Sequence, residues 1–80
     1  MKVNVKFFGI FQEAAQTQEV KIEIKKGTRV NELYHQILSS FPEKKRFPRV
    51  LFAVNQDFVK SSQTLKEGDE LSLIPPMSGG

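Results

Sequence analysis

From its second residue the chain alternates, with Val3, Val5 and Phe7 apolar and Lys2, Asn4 and Lys6 polar between them. A period of two sends successive side chains to opposite faces of a strand, so the pattern predicts a first strand over residues 2–8 with one buried face. Alternation stops from Gly9 to Thr17, where Glu13, Ala14 and Ala15 support one helical turn at most. It resumes at Val20, Ile22 and Ile24, set between Glu19, Lys21, Glu23 and Lys25. That second strand is expected to pair antiparallel with the first in an N-terminal hairpin.

The period then changes. Lys26-Gly27 reads as a turn and Thr28 as the N-cap of a helix. Val30, Leu33, Tyr34, Ile37, Leu38 and Phe41 follow at three- and four-residue steps. This spacing traces one apolar stripe on a helix that must end by Pro42. Val50 to Val54 is a continuous apolar run, the mark of a strand in the middle of a sheet. Asn55-Gln56 turns the chain into a brief strand over residues 57–60, and Lys66-Glu67-Gly68-Asp69 is a second turn. Glu70 to Ile74 closes the pattern, with Leu71 and Leu73 facing inward. The order β-β-α-β-β-β predicts an α+β fold, a mixed sheet of about five strands with one main helix packed across it.

Two large apolar residues break phase. Phe8 shares its face with Lys2, Asn4 and Lys6, and Ile74 shares its face with Glu70 and Ser72. With the last strand parallel to the first and beside it, both emerge at one end of the sheet, on the side away from the helix. Phe58 in the short fourth strand joins them. An exposed apolar patch of this kind is what a docking surface needs.

Composition removes several function classes. Eighty residues make one domain, and the absence of cysteine excludes disulfides, thiol nucleophiles and cysteine-based metal sites. No apolar run approaches the ~20 residues of a transmembrane helix, and Met1-Lys2 leads straight into the alternation without a signal-peptide pattern. A soluble, cytoplasmic protein with no membrane partner is expected. The net charge is +3, and its one basic cluster, Lys44, Lys45, Arg46 and Arg49 around Phe47, reads as a solvated loop. No nucleic-acid partner is expected, since no larger basic stripe or known module accompanies it. His35 lies off the helical stripe with no second ligand at metal spacing, so no metal site is expected. Nothing in the chain supplies a base, nucleophile or metal triad of its own, which argues against an autonomous enzyme.

Chemistry concentrates at the end of the chain. Residues 1–74 read as the folded domain and residues 75–80, Pro75-Pro76-Met77-Ser78-Gly79-Gly80, as a flexible projecting tail. Adjacent prolines favour polyproline II at ~3.1 Å per residue, so six residues reach roughly 19 Å, far enough to enter another protein's active site. Gly79 and Gly80 have no Cβ to obstruct a narrow channel. The group presented there is an α-carboxylate, a poor electrophile until activated, for instance by ATP as an acyl-adenylate, and then captured by sulfur or an amine.

The combination of Phe7-Phe8, Ala53-Val54-Asn55-Gln56, Gly68-Asp69-Glu70 and Ile74-Pro75-Pro76-Met77-Ser78-Gly79-Gly80 resembles the small subunits of molybdopterin synthase. These belong to the MoaD/ThiS family of ubiquitin-like sulfur carriers, and the resemblance spans essentially the whole chain. It implies a β-grasp fold. It implies that Gly80 is adenylated by an E1-like, ATP-dependent enzyme and converted to a thiocarboxylate, with glycyl adenylate and 1-thioglycine as its modified states and no bound cofactor. The tail, from Pro75 and Pro76 through Met77, Ser78 and Gly79, then enters the large subunit and delivers sulfur to cyclic pyranopterin monophosphate. Phe8, Phe58 and Ile74 match interface positions of the family. Implied partners are the large subunit, in a heterotetramer of two small and two large chains, the adenylating enzyme and a sulfur-transfer protein. On this reading the chain acts only as the sulfur-donating subunit. A carrier for thiamin thiazole synthesis or tRNA thiolation, a ubiquitin-like protein modifier, and an interaction domain with an idle tail are the alternatives. Pro75-Pro76 favours the molybdopterin branch.

Overall fold

In a computed structural model describing residues 1–42, 47 and 49–76, the alternating segments pair into one five-stranded sheet. Its strands are β1 (Lys2–Phe7), β2 (Glu19–Glu23), β3 (Leu51–Val54), β4 (Asp57–Val59) and β5 (Glu70–Ile74), in the spatial order β2-β1-β5-β3-β4. The helices are α1 (Ile10–Ala15) and α2 (Val30–Ser40). β1 and β5 run parallel at the centre, and every other pair is antiparallel. This is the expected mixed sheet, with the last strand beside the first.

One face of the sheet carries the core. Val3, Val5 and Phe7 from β1, Leu71 and Leu73 from β5, and Phe52 and Val54 from β3 are buried against Val30, Leu33, Tyr34 and Ile37 of α2. Phe41, just past the helix, meets Phe7 edge-on with ring centroids 6.0 Å apart. Leu65, from the loop before β5, is also enclosed.

Two local expectations are corrected. The segment from Gly9 to Thr17 holds a real helix rather than one turn at most, because Phe11 is fully buried. Its ring lies 4.6 Å from that of Phe47 and 6.3 Å from that of Tyr34. Six residues cannot sustain a helix by propensity alone, so this tertiary contact stabilises α1. Helix α2 is capped at Arg29, not Thr28. The Thr28 hydroxyl donates instead to the Lys25 carbonyl at 2.7 Å within the preceding turn. Arg29 is extended and bridges to Thr64, and its N–H donates to the Glu32 carboxylate at 2.8 Å.

Tyr34 provides a probe of this core. Its ring stands edge-on to Phe52 with centroids 5.2 Å apart, and burial pushes its hydroxyl above the ordinary value of 10.0. The folded chain therefore holds the phenolic proton more tightly than the unfolded chain. The resulting stability is complete below about pH 10 and is lost as pH rises through the raised folded value. Alkaline unfolding followed by circular dichroism should show a limb in that range that is shallower in Tyr34→Phe.

Candidate functional site

The face of the sheet opposite α2 changes character along its length. At the end where β1 begins it is polar, with Asn4, Lys21 and Glu70 side by side in the strand register. The Lys6 ammonium pairs with Glu70 at 3.2 Å, and the Asn4 amide donates to Glu19. At the other end it is apolar. The parallel register Phe7↔Leu73 continues through a hydrogen bond from the Phe8 N–H to the Leu73 carbonyl at 3.2 Å, which sets Phe8 beside Ile74. Ile74 is in turn opposite Leu51, and Phe58 is opposite Ala53. Phe8, Leu51 and Phe58 are 44%, 41% and 71% exposed.

Phe8, Phe58 and Ile74, the residues that broke phase or joined them in the sequence, thus share one patch. Leu51 belongs to it as well and was hidden by the continuous run Val50 to Val54. A strand with one face in the core and the other in an exposed apolar patch looks the same in sequence as a strand buried on both faces. Val50, Leu51, Phe52, Phe58, Val59 and Ser61 line a shallow cleft at the β4 side of this patch.

The chain leaves β5 within the patch. Pro75 and Pro76 follow Ile74 and are half-buried. The candidate residues Met77, Ser78, Gly79 and Gly80 lie outside the described residues, as do Lys44, Lys45 and Arg46 of the basic loop. Phe47 of that loop packs half-buried on Phe11 and Phe41, so its ring is a core anchor and not a stacking platform. His35 is exposed on α2. Among the described residues no group of three His, Cys, Asp or Glu side chains could hold a metal ion, and no helix is long and apolar enough to cross a membrane.

At the opposite end of the sheet, two of the short motifs meet. The Asn55 carbonyl oxygen Oδ1 accepts from the Glu70 N–H at 3.0 Å, and its Nδ2 donates to Asp69 at 3.0 Å. The Asp69 carboxylate also accepts from the Lys66 N–H at 2.8 Å, closing the turn at Gly68, whose φ is +81°. Asn55 and Gln56 both have positive φ, as a two-residue type I′ hairpin requires. Ala53-Val54-Asn55-Gln56 and Gly68-Asp69-Glu70 therefore form one clamp that fixes β3 against β5. A slip of β3 by one residue would move Leu51 to the core face and take Phe52 and Val54 out of it.

The sequence pattern of the ThiS family matches residues 5–80. The chain belongs to this family. Among similar proteins, the molybdopterin synthase sulfur carrier subunit of Mycobacterium tuberculosis is 38% identical, over all of this chain and 99% of that protein. Among solved structures, the Pyrococcus furiosus chain assigned as subunit 1 of a molybdopterin converting factor superposes with a TM-score of 0.84 at 31% identity, covering 96% of this chain and 99% of that one. Subunit 1 in the complex of subunits 1 and 2 of the Helicobacter pylori molybdopterin-converting factor gives 0.68 at 29% identity, with both chains fully covered. The β-grasp architecture of this ThiS-family chain is shared with those structures.

Proposed function

We propose that this chain is the sulfur carrier subunit of a molybdopterin synthase. One observation carries the reading: an exposed apolar patch of Phe8, Ile74, Leu51 and Phe58 surrounds the point where the chain passes into Pro75-Pro76. Such a patch docks the body while the tail reaches onward, and the Mycobacterium tuberculosis and Helicobacter pylori proteins named above align with this chain over its whole length. On this reading Gly80 attacks ATP through its carboxylate on an E1-like adenylating enzyme, releasing pyrophosphate and forming glycyl adenylate. The outer sulfur of a persulfide on a sulfur-transfer protein then attacks the carbonyl and expels AMP. A second thiol on the partner cleaves the S–S bond of the resulting acyl disulfide, leaving 1-thioglycine on this chain and a disulfide on the partner. In the large subunit, within an assembly of two small and two large chains, that thiocarboxylate donates sulfur to cyclic pyranopterin monophosphate. Gly79, Ser78, Met77, Pro76 and Pro75 form the passage segment. Catalytic acid-base groups reside on the partner.

The test is the intact mass of the chain after incubation with ATP, a sulfur source and an E1-like activating enzyme. A gain equal to the difference between sulfur and oxygen, mapped to Gly80, is expected, followed by molybdopterin formation with a cognate large subunit. A sulfur gain with activity only in a thiazole-forming assay would overturn the molybdopterin assignment. No gain with a demonstrably active enzyme would overturn the carrier reading.

A further inference from the structure

Gly9 is the residue that lets the tail leave the sheet where it does. It joins β1 to α1 with φ 54° and ψ −127°, a conformation that is essentially restricted to glycine. The Gly9 carbonyl accepts from the Gln12 N–H at 3.0 Å, so the chain turns sharply into the helix at this point. The turn clears the lane beside β1 along which β5 continues into the tail. Pro75 fills the space so opened. A Cβ built on Gly9 would stand 2.8 Å from Pro75 Cγ, closer than two carbons can pack. The pyrrolidine ring can change only its pucker, and its φ is fixed near −65°. A proline held in that notch hands its direction to Pro76.

We infer that Gly9 is a positioning residue for the reaction of the tail: the Gly9 notch seats Pro75 and so aims the segment that carries Gly80, separately from docking through the apolar patch. This rests on the carrier function proposed above. A seat that aims the tail affects the rate of the bound complex, whereas the patch governs how strongly the body binds.

The experiment compares the wild-type chain, Gly9→Ala, Pro75→Ala and the double variant in ATP-dependent thiocarboxylation by the activating enzyme. Gly9→Ala should lower kcat roughly 10- to 100-fold, since an ångström of misplacement has that scale of effect, with KM changed by less than about threefold. Pro75→Ala should also lower kcat. Because both act through one contact, the double variant should be about as slow as the slower single variant and no slower. Unchanged kcat, an effect confined to KM, or losses that multiply would each overturn the inference. Should Gly9→Ala fail to fold, Pro75→Ala carries the test with the same expectation. An independent reading comes from nuclear Overhauser contacts between the Gly9 α-protons and the Pro75 γ-protons in the wild-type chain. Their presence supports the seat and their absence overturns it, whether or not the wild-type chain gains sulfur. A wild-type chain that gains no sulfur overturns the proposed function instead.

Discussion

Deleting Gly80, or adding one alanine after it, is expected to abolish the sulfur mass gain while leaving thermal unfolding unchanged. One residue spans roughly 3.3 to 3.6 Å of extended chain. The reactive carboxyl would then stop short of, or overshoot, its place in the activating site by more than three times the ångström that already has roughly a 100-fold effect. Gly80 has no side chain to bury, and the core of the described residues runs from Val3 to Leu73. Both variants should therefore unfold with the wild-type midpoint in a calorimetric scan. A sulfur gain retained by either variant would show that the chemistry does not depend on this carboxyl.

The second large effect separates two adjacent phenylalanines. Phe7 is 4% exposed and packs on Phe41, whereas Phe8 is 44% exposed on the opposite face. Phe7→Ala should cost about 3–5 kcal/mol of stability, a large share of the ~5–15 kcal/mol that holds a small domain together. It should leave the chain unfolded or close to it. Phe8→Lys should cost about 1 kcal/mol or less, since the lysine stem lies along the same surface and its ammonium reaches water. Its effect belongs in binding. Loss of one anchor from a central apolar patch weakens association by about 2 kcal/mol or more, roughly 30-fold in Kd. Urea denaturation and titration calorimetry with a cognate large subunit measure the two quantities. Wild-type affinity in Phe8→Lys would remove the patch from the interface, and unfolding of Phe8→Lys would make Phe8 a core residue.

The difference between Phe7 and Phe8 is legible in the sequence, because period-two alternation assigns faces without reference to a partner strand. The same logic identified Ile74. Leu51 escaped it because phase carries no information where both faces of a strand are apolar. Helix α1 escaped for another reason: its six residues form a helix only because Phe11 finds Phe47 and Tyr34 across the core. Thr28 had the side chain of an N-cap, but its hydroxyl bonds Lys25 and leaves Arg29 to begin α2.

What the sequence determined by itself was therefore local and periodic: the strands, the apolar stripe of α2, the two turns that join into the Asn55–Asp69 clamp, and the residues out of phase. Side-chain periods of 2 and 3.6 are properties of the backbone, and they are written in any chain that buries one face. The tertiary structure decided which long-range neighbours meet. It put Leu51 opposite Ile74, fastened Asn55 to Glu70 across 15 residues, and brought Gly9 against Pro75. Contacts between residues so far apart in the chain follow from strand order and register, which alternation constrains only to the choice of face.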